Sequence, residues 1–196
     1  NIDNLTGLTN IVPNFSMPDY GSKLTSPVYI RGIGSRINSP SVALYVDNVP
    51  YFEKSAFNFD FFDIESIEIL RGPQGTLFGR NSMGGVINIT TKSPLRYNGN
   101  HINLLAGNYG TYKANIGHYN KIGKKIHYSL SVNYQHNNGF YTNNFLNQQV
   151  DKLNAFAARN RFVYKVSAKM VVENCVSLEQ SQQGGYPYAV YVDSTK

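Results

Sequence analysis

From Ile126 to Gln135 apolar and polar side chains alternate without a break. Ile126, Tyr128, Leu130, Val132 and Tyr134 fall on one face of an extended chain; His127, Ser129, Ser131, Asn133 and Gln135 fall on the other. A strand of a soluble sandwich also alternates, but it usually runs to about 5–6 residues. The stretch from Ile126 to Tyr134 covers roughly 30 Å, or about 23 Å at a tilt near 40°, close to the ~25 Å apolar band of an outer-membrane barrel. Tyr128 and Tyr134 sit near its ends, where an aromatic girdle lies in such barrels. The pattern predicts a membrane-spanning strand.

Neighbouring segments repeat it. Ile102, Leu104 and Ala106 alternate with His101 and Asn103; Tyr112, Ala114 and Ile116 alternate with Lys113 and Asn115. Phe156, Ala158, Phe162, Tyr164 and Val166 share one parity, with Arg159 and Arg161 on the other. Ala168, Met170, Val172, Val176 and Leu178 form a fifth segment, interrupted on that face by Asn174. An arginine facing lipid at mid-depth costs about 2–4 kcal/mol and one facing a polar lumen costs little, so the arginine face is the inner one. By the same logic arginine at Leu130 or Val132 is expected to be excluded and at Ser131 tolerated. Connections 120–124 and 165–167 are short, whereas 138–152 and 180–196 are long, polar and dotted with aromatics. That asymmetry matches the short periplasmic turns and long extracellular loops of bacterial barrels; 107–110 is a brief exception.

The first 93 residues have a different texture. Val28–Gly32 reads as a strand ending in glycine, followed by a polar excursion from Ile33 to Ser41. Ser41–Asp47 reads as a second strand with Val42, Leu44 and Val46 on one face, and Asn48 then enters a turn that tolerates a left-handed backbone. In the aromatic stretch from Tyr51 to Phe62, Phe59, Phe61 and Phe62 fit a buried helix face; Tyr51, Phe52 and Phe57, among Glu53, Lys54 and Ser55, fit a displayed loop. Two further strands, Ile64–Leu70 and Val86–Thr91, flank a loop carrying Gly72, Gly75, Gly79, Gly84 and Gly85. It is too long for a tight hairpin, so the glycines serve backbone shape or close approach of other chain. Gly79 and Gly84 have the spacing of a phosphate loop, but Gly85 stands where its lysine must be and a strand follows.

Ile67-Glu68-Ile69-Leu70-Arg71-Gly72-Pro73, Leu77-Phe78-Gly79, Gly84-Gly85-Val86-Ile87-Asn88 and the closing Thr91-Lys92 closely resemble the plug domain of TonB-dependent outer-membrane receptors. Ile30-Arg31-Gly32 and Leu44-Tyr45-Val46-Asp47-Asn48-Val49-Pro50 resemble further plug signatures, extending the likeness over most of residues 8–94. The expected architecture is mainly β: an α+β plug domain over residues 1–93, then the first five or so antiparallel strands of a transmembrane β-barrel over 94–196. Five strands cannot close, and an open edge is not tolerated in lipid. A piece of a longer precursor is therefore expected.

Composition narrows the alternatives. Charged residues are 15% and aromatics 13%, with 15 Tyr and no Trp, which suits strands with one polar and one apolar face. No run approaches the roughly 18 apolar residues of a membrane helix, so membrane residence has to be as a barrel. The net charge of +6 is scattered, its densest cluster being Lys121, Lys124 and Lys125 around a turn, and no nucleic-acid motif accompanies it. Cys175 is single, and His101, His118, His127 and His136 lack metal-ligand spacing. Neither catalytic residues nor a metal or cofactor site is expected.

The resemblance implies active uptake of a scarce nutrient across the outer membrane of a Gram-negative bacterium. A ferric siderophore is the leading ligand class, with cobalamin, haem and oligosaccharides as alternatives. The partners implied are the energising TonB complex in the periplasm and inner membrane, and outer-membrane lipid; no nucleic acid is implied. A soluble or surface-exposed β-rich binding protein, such as an adhesin, is the competing reading. The family's substrate-facing apices correspond to 33–41 and 51–57, making Arg36, Asn38, Tyr51, Phe52, Lys54 and Phe57 the expected ligand contacts. Arg71 and Arg80 match arginines that pair, in the family, with carboxylates on the barrel wall and latch the plug.

Overall fold

The computed structural model describes residues 4–18, 26–35, 39–52 and 61–185. A 3-10 turn, Thr6–Asn10, comes first, followed by three short strands, β1 (Phe15–Ser16), β2 (Tyr29–Ile30) and β3 (Ile33–Gly34). A mixed sheet contains β4 (Val42–Val46), β5 (Val49–Tyr51), β6 (Ile64–Arg71) and β7 (Gly85–Thr91) in the order β5-β4-β7-β6. The central pair β4 and β7 is parallel and its flanks are antiparallel. Buried on both faces, these two strands carry near-continuous apolar runs, as parallel strands do. One face packs Val42, Leu44, Val46, Ile87 and Ile89 under Leu5, Leu8, Phe15 and Ile30.

Two tight turns have a common cause. Arg31 and Gly32, and again Asp47 and Asn48, take positive φ in succession, the geometry that matches the twist of a two-residue hairpin. The first folds Ile33–Gly34 back onto β2, so the polar excursion begins as a strand. The second bears out the left-handed backbone expected at Asn48.

The glycine loop closes on itself. Gln74 N donates to Ser82 O at 2.9 Å, Gly72 N to Gly84 O at 3.1 Å and Ser82 Oγ to Gly79 O at 2.6 Å. A single helical turn, α1 (Gly75–Phe78), lies inside it, and the Phe78 ring meets Tyr45 edge-on at 5.1 Å. The two glycine roles separate here. Gly79, with φ of 69° and open space around it, serves backbone shape; Gly85 serves close approach. A Cβ on Gly85 would meet the Leu70 carbonyl oxygen and come within 2.9 Å of Ile30 Cδ1, at a φ of 149°. Gly85→Ala is expected to cost about 1–3 kcal/mol or more, because strain and overlap coincide. Protease sensitivity of the first 90 or so residues checks it; wild-type resistance would count against the packing described.

Seven strands follow: β8 (Gly99–Gly107), β9 (Thr111–Ile122), β10 (Ile126–Asn137), β11 (Thr142–Asn143), β12 (Gln148–Gln149), β13 (Leu153–Lys165) and β14 (Val171–Gln183). Five of them form one continuous antiparallel sheet, β8-β9-β10-β13-β14. β11 and β12 make a separate small hairpin within the long 138–152 connection. Of the other connections, the one after β8 is brief, as expected, and the one after β13 departs from expectation. Asn108–Thr111 is a tight turn with Tyr109 and Gly110 at positive φ. The turn after β13 is longer than read, because Val166 N and Ser167 N both donate to Met170 O, which takes Ala168 and Met170 out of the fifth strand.

The faces of the long sheet decide its environment. Its polar side is the covered one: His127, Ser129, Ser131, Asn133, Arg159 and Arg161 are buried. Its apolar side is bare, with Ile102 64%, Leu104 71%, Leu130 46% and Leu178 65% exposed. A water-soluble sheet is built the other way round. Phe61 and Phe62 correct the helix reading, since neither is helical and Asp63, at a φ of 64°, leads straight into β6. Phe62 is buried instead under the Arg159 guanidinium, 5.0 Å from its ring. Phe59 lies outside the described residues.

Candidate functional site

The mixed sheet meets the long sheet along a seam of charges. Asp47 sits at the β4–β5 turn, where its Oδ1 accepts from Thr91 N at 2.9 Å and its Oδ2 from Thr91 Oγ1 at 2.8 Å. Arg161 of β13 reaches across: its Nη2 donates to Asp47 Oδ2 and, at 2.8 Å, to Thr91 Oγ1. The Arg161 side chain is only 5% exposed. Glu173 on the neighbouring β14 lies 3.2 Å from Arg161 Nε, within ion-pair reach but without hydrogen-bond alignment. A buried guanidinium is thus held between a carboxylate of each sheet.

Further contacts run beside it. Asp63 Oδ2 accepts from Ser131 Oγ of β10 at 2.7 Å. Burial pushes the Asp63 carboxyl above the ordinary carboxylate range, against the pull of the Ser131 hydroxyl and of Arg159, Lys92 and Arg161. Arg159, also buried, covers Phe62 and donates from Nε to Ser177 Oγ at 3.3 Å. The segment joining the two sheets is tied down as well. Arg96 pairs with Glu65 at 2.6 Å, and buried His127 donates from Nδ1 to the Pro94 carbonyl at 3.2 Å.

The residues expected at the site distribute unevenly. Phe52 is exposed, and the Arg80 guanidinium stacks 3.9 Å from its ring centroid, so an expected ligand contact and an expected latch residue meet each other. Tyr51 is half-buried at the end of β5; burial raises its hydroxyl pKa, with Arg159 opposing and Cys175, Glu179 and Asp47 adding. Arg71 donates weakly to the Pro13 carbonyl at 3.5 Å. Arg36, Asn38, Lys54 and Phe57 lie outside the described residues. Asp47 was legible as the end of a strand and as part of a plug signature, not as a partner of a wall arginine; an acid entering a turn and the inward face of Arg161 were the available signals. Among the described residues no cluster of three or more His, Cys, Asp or Glu side chains could hold a metal.

Residues 1–86 match the family model of the TonB-dependent Receptor Plug Domain. Those residues are a plug domain of the TonB-dependent receptor type. The chain is 39% identical over 89 residues to the pesticin receptor of Yersinia enterocolitica serotype O:8 / biotype 1B, covering 44% of this chain and 13% of that receptor. It is 27% identical over 192 residues to the vitamin B12 transporter BtuB of Vibrio vulnificus, covering 90% of this chain and 30% of the transporter. The crystal structure of the ferric yersiniabactin uptake receptor FyuA from Yersinia pestis superposes with a TM-score of 0.82 at 23% identity, over 93% of this chain and 30% of that one. The chain therefore spans less than a third of the length of these relatives. The mixed sheet is its plug, the long sheet is part of an unclosed barrel wall, and the charged seam joins the two.

Proposed function

We propose that the chain is part of an outer-membrane uptake receptor, driven by the TonB complex from the periplasm, for a scarce nutrient of the ferric siderophore class. The observation that carries this is the inverted wall: apolar side chains outward, and a polar, arginine-bearing face against the plug. It disfavours the adhesin reading, in which the bare apolar face would meet water. The boundary between plug and barrel falls near residue 93, between β7 and β8. Relatives include a ferrioxamine B receptor of Salmonella typhimurium, which supports the ligand class. Radioiron uptake by cells carrying the full-length receptor, with a panel of ferric siderophores, tests the proposal. Saturable uptake abolished by a protonophore is expected; energy-independent uptake, or none with any chelate, would count against it.

In this reading Phe52 and Tyr51, with Arg36, Asn38, Lys54 and Phe57, form the ligand-facing apex. Flat aromatic faces and positive charge suit an anionic, ring-bearing chelate. Arg80, packed on Phe52, would order that ring as well as serve a latch, and Arg71 keeps its latch role through wall carboxylates. Tyr51→Ala with Phe52→Ala is expected to weaken ligand affinity at least ~10-fold, about 1.4 kcal/mol, with surface expression unchanged. Equilibrium binding on de-energised cells measures it, and isotherms overlaying wild type would move the site away from this apex.

A further inference from the structure

Two asparagines break the apolar band on the outer face of the wall. On β13 the outward apolar side chains run from Phe156 to Tyr164, and Asn160 is the midpoint of that run. On β14 they run from Val172 to Leu178, and Asn174 lies one residue from the midpoint. Asn160 shares the parity of Phe156 and Phe162 and is exposed with them. Four residues of strand separate it from either end of its run, roughly 10 Å of depth at a tilt near 40°. Headgroups and water at the two edges of the band are out of its reach. Asn160 is opposite Val176 and Asn174 is opposite Phe162, so the two amides are diagonal neighbours, about 7–8 Å apart. Measured from the middle of their own runs they differ by one residue, which puts both within about 3 Å of one depth.

Their hydrogen-bonding capacity is largely unmet. Each amide offers two N–H donors and an accepting carbonyl oxygen. Asn160 donates from Nδ2 to the Ser129 carbonyl at 3.2 Å, which leaves its other N–H and Oδ1. Asn174 has no side-chain hydrogen bond among the described residues. Elsewhere on this face the polar side chains lie near the edges of the band and satisfy one another. His118 bonds Asn100 at 2.6 Å and Tyr128 at 3.3 Å, and His136 bonds Asn154 at 2.6 Å and Asn138 at 3.1 Å. A polar group left bare in hydrocarbon is costly, so amides at mid-depth call for a protein partner. Further strands of the same barrel cannot supply it, because they extend the edge of the sheet and do not cover its outer face.

We propose that this patch is a lateral contact between two copies of the receptor in the plane of the membrane. The proposal rests on the outer-membrane reading. Every copy in one membrane carries the same pair at the same depth, so a two-fold axis along the membrane normal brings pair against pair. An amide is its own complement, donor to acceptor in both directions. Ala158, the next outward residue of β13, is small enough to let the partner approach. A lipid headgroup would need the pair at the edge of the band, and an ionic partner would need charge, which Ala158, Asn160, Phe162, Asn174 and Val176 do not carry.

The test is oxidation by copper phenanthroline, in native outer membranes, of a full-length receptor carrying Ala158→Cys, with Cys175 and any other cysteine replaced by Ser. A disulfide-linked pair of receptors is expected. Leu104→Cys, on the same face but three strands away at about 14 Å, should give far less at the same oxidant dose. Adding Asn160→Leu and Asn174→Leu should lower the linked fraction at least ~10-fold. Heat-modifiable, inserted receptor should hold at the wild-type level in that variant, because leucine suits lipid. Inserted receptor that does not link, equal linkage from Ala158→Cys and Leu104→Cys, linkage to a different protein, or undiminished linkage in the leucine variant would overturn the proposal. The reading beneath it fails separately: a receptor that never inserts removes the outer-membrane placement, whereas one that inserts and stays single removes only the contact.

Discussion

Leu130→Arg is expected to abolish outer-membrane assembly of the full-length receptor, while Asn103→Arg leaves assembly intact. Leu130 lies near the middle of β10, on the bare apolar face between Tyr128 and Tyr134. An arginine at that depth costs about 2–4 kcal/mol against lipid, a large part of the ~5–15 kcal/mol that holds a typical domain together. Asn103 has the opposite parity and faces the polar interior, where Lys113 already places a charge one row away. Ser131 is no longer a suitable control. It shares the inner face but is buried against Asp63, so arginine there should displace the plug rather than block insertion. Heat-modifiable mobility of the membrane-inserted protein reads the outcome. Equal yields for Leu130→Arg and Asn103→Arg would mean that the two faces have been assigned the wrong way round.

Removing the Arg161 guanidinium should loosen the plug more than any other single truncation at the seam. Arg161→Ala leaves Asp47 without its cross-sheet partner and Thr91 Oγ1 without a donor. Breaking one side of a buried ion pair costs about 3–5 kcal/mol, most of it the penalty for the charge left behind. The expected readout is a rise in passive entry of large antibiotics in cells expressing the full-length receptor. Asp47→Ala should act in the same direction and somewhat less, since Glu173 still accompanies Arg161. Reversing the pair, Asp47→Arg with Arg161→Asp, should restore the barrier in part; Glu173 beside the new carboxylate keeps the restoration incomplete. Unchanged antibiotic entry in a well-expressed Arg161→Ala receptor would reduce the seam to a local packing contact.

The alternation along β8, β9, β10, β13 and β14 determined, from the sequence alone, which side chains face lipid and which face inward. Facing is a local property: in an extended backbone neighbouring side chains point to opposite sides whatever the rest of the chain does. The glycine motif was legible for a related reason, because positive φ and a missing Cβ are demands that few other residues meet, and Gly79 and Gly85 each meet one. Where strands end was less legible. Ala168 and Met170 continue the apolar period, yet a backbone hydrogen bond from Val166 to Met170 folds them into a turn. Phe61 and Phe62 read as a helix face because aromatic clustering reports burial without reporting the backbone that achieves it.

Only the tertiary structure decided what the charges do. Arg159 and Arg161 were known to point inward, but their partners lie far off in sequence: Asp47 is 114 residues from Arg161 and Thr91 is 70. No local pattern encodes such a meeting; it follows from how the plug sits against β13. The seam is therefore a contact separate from the latch expected of Arg71 and Arg80: it places a plug carboxylate on a wall arginine, while Arg80 lies on Phe52. Side-chain facing depends on the backbone of one strand, and ion pairing on the placement of two bodies.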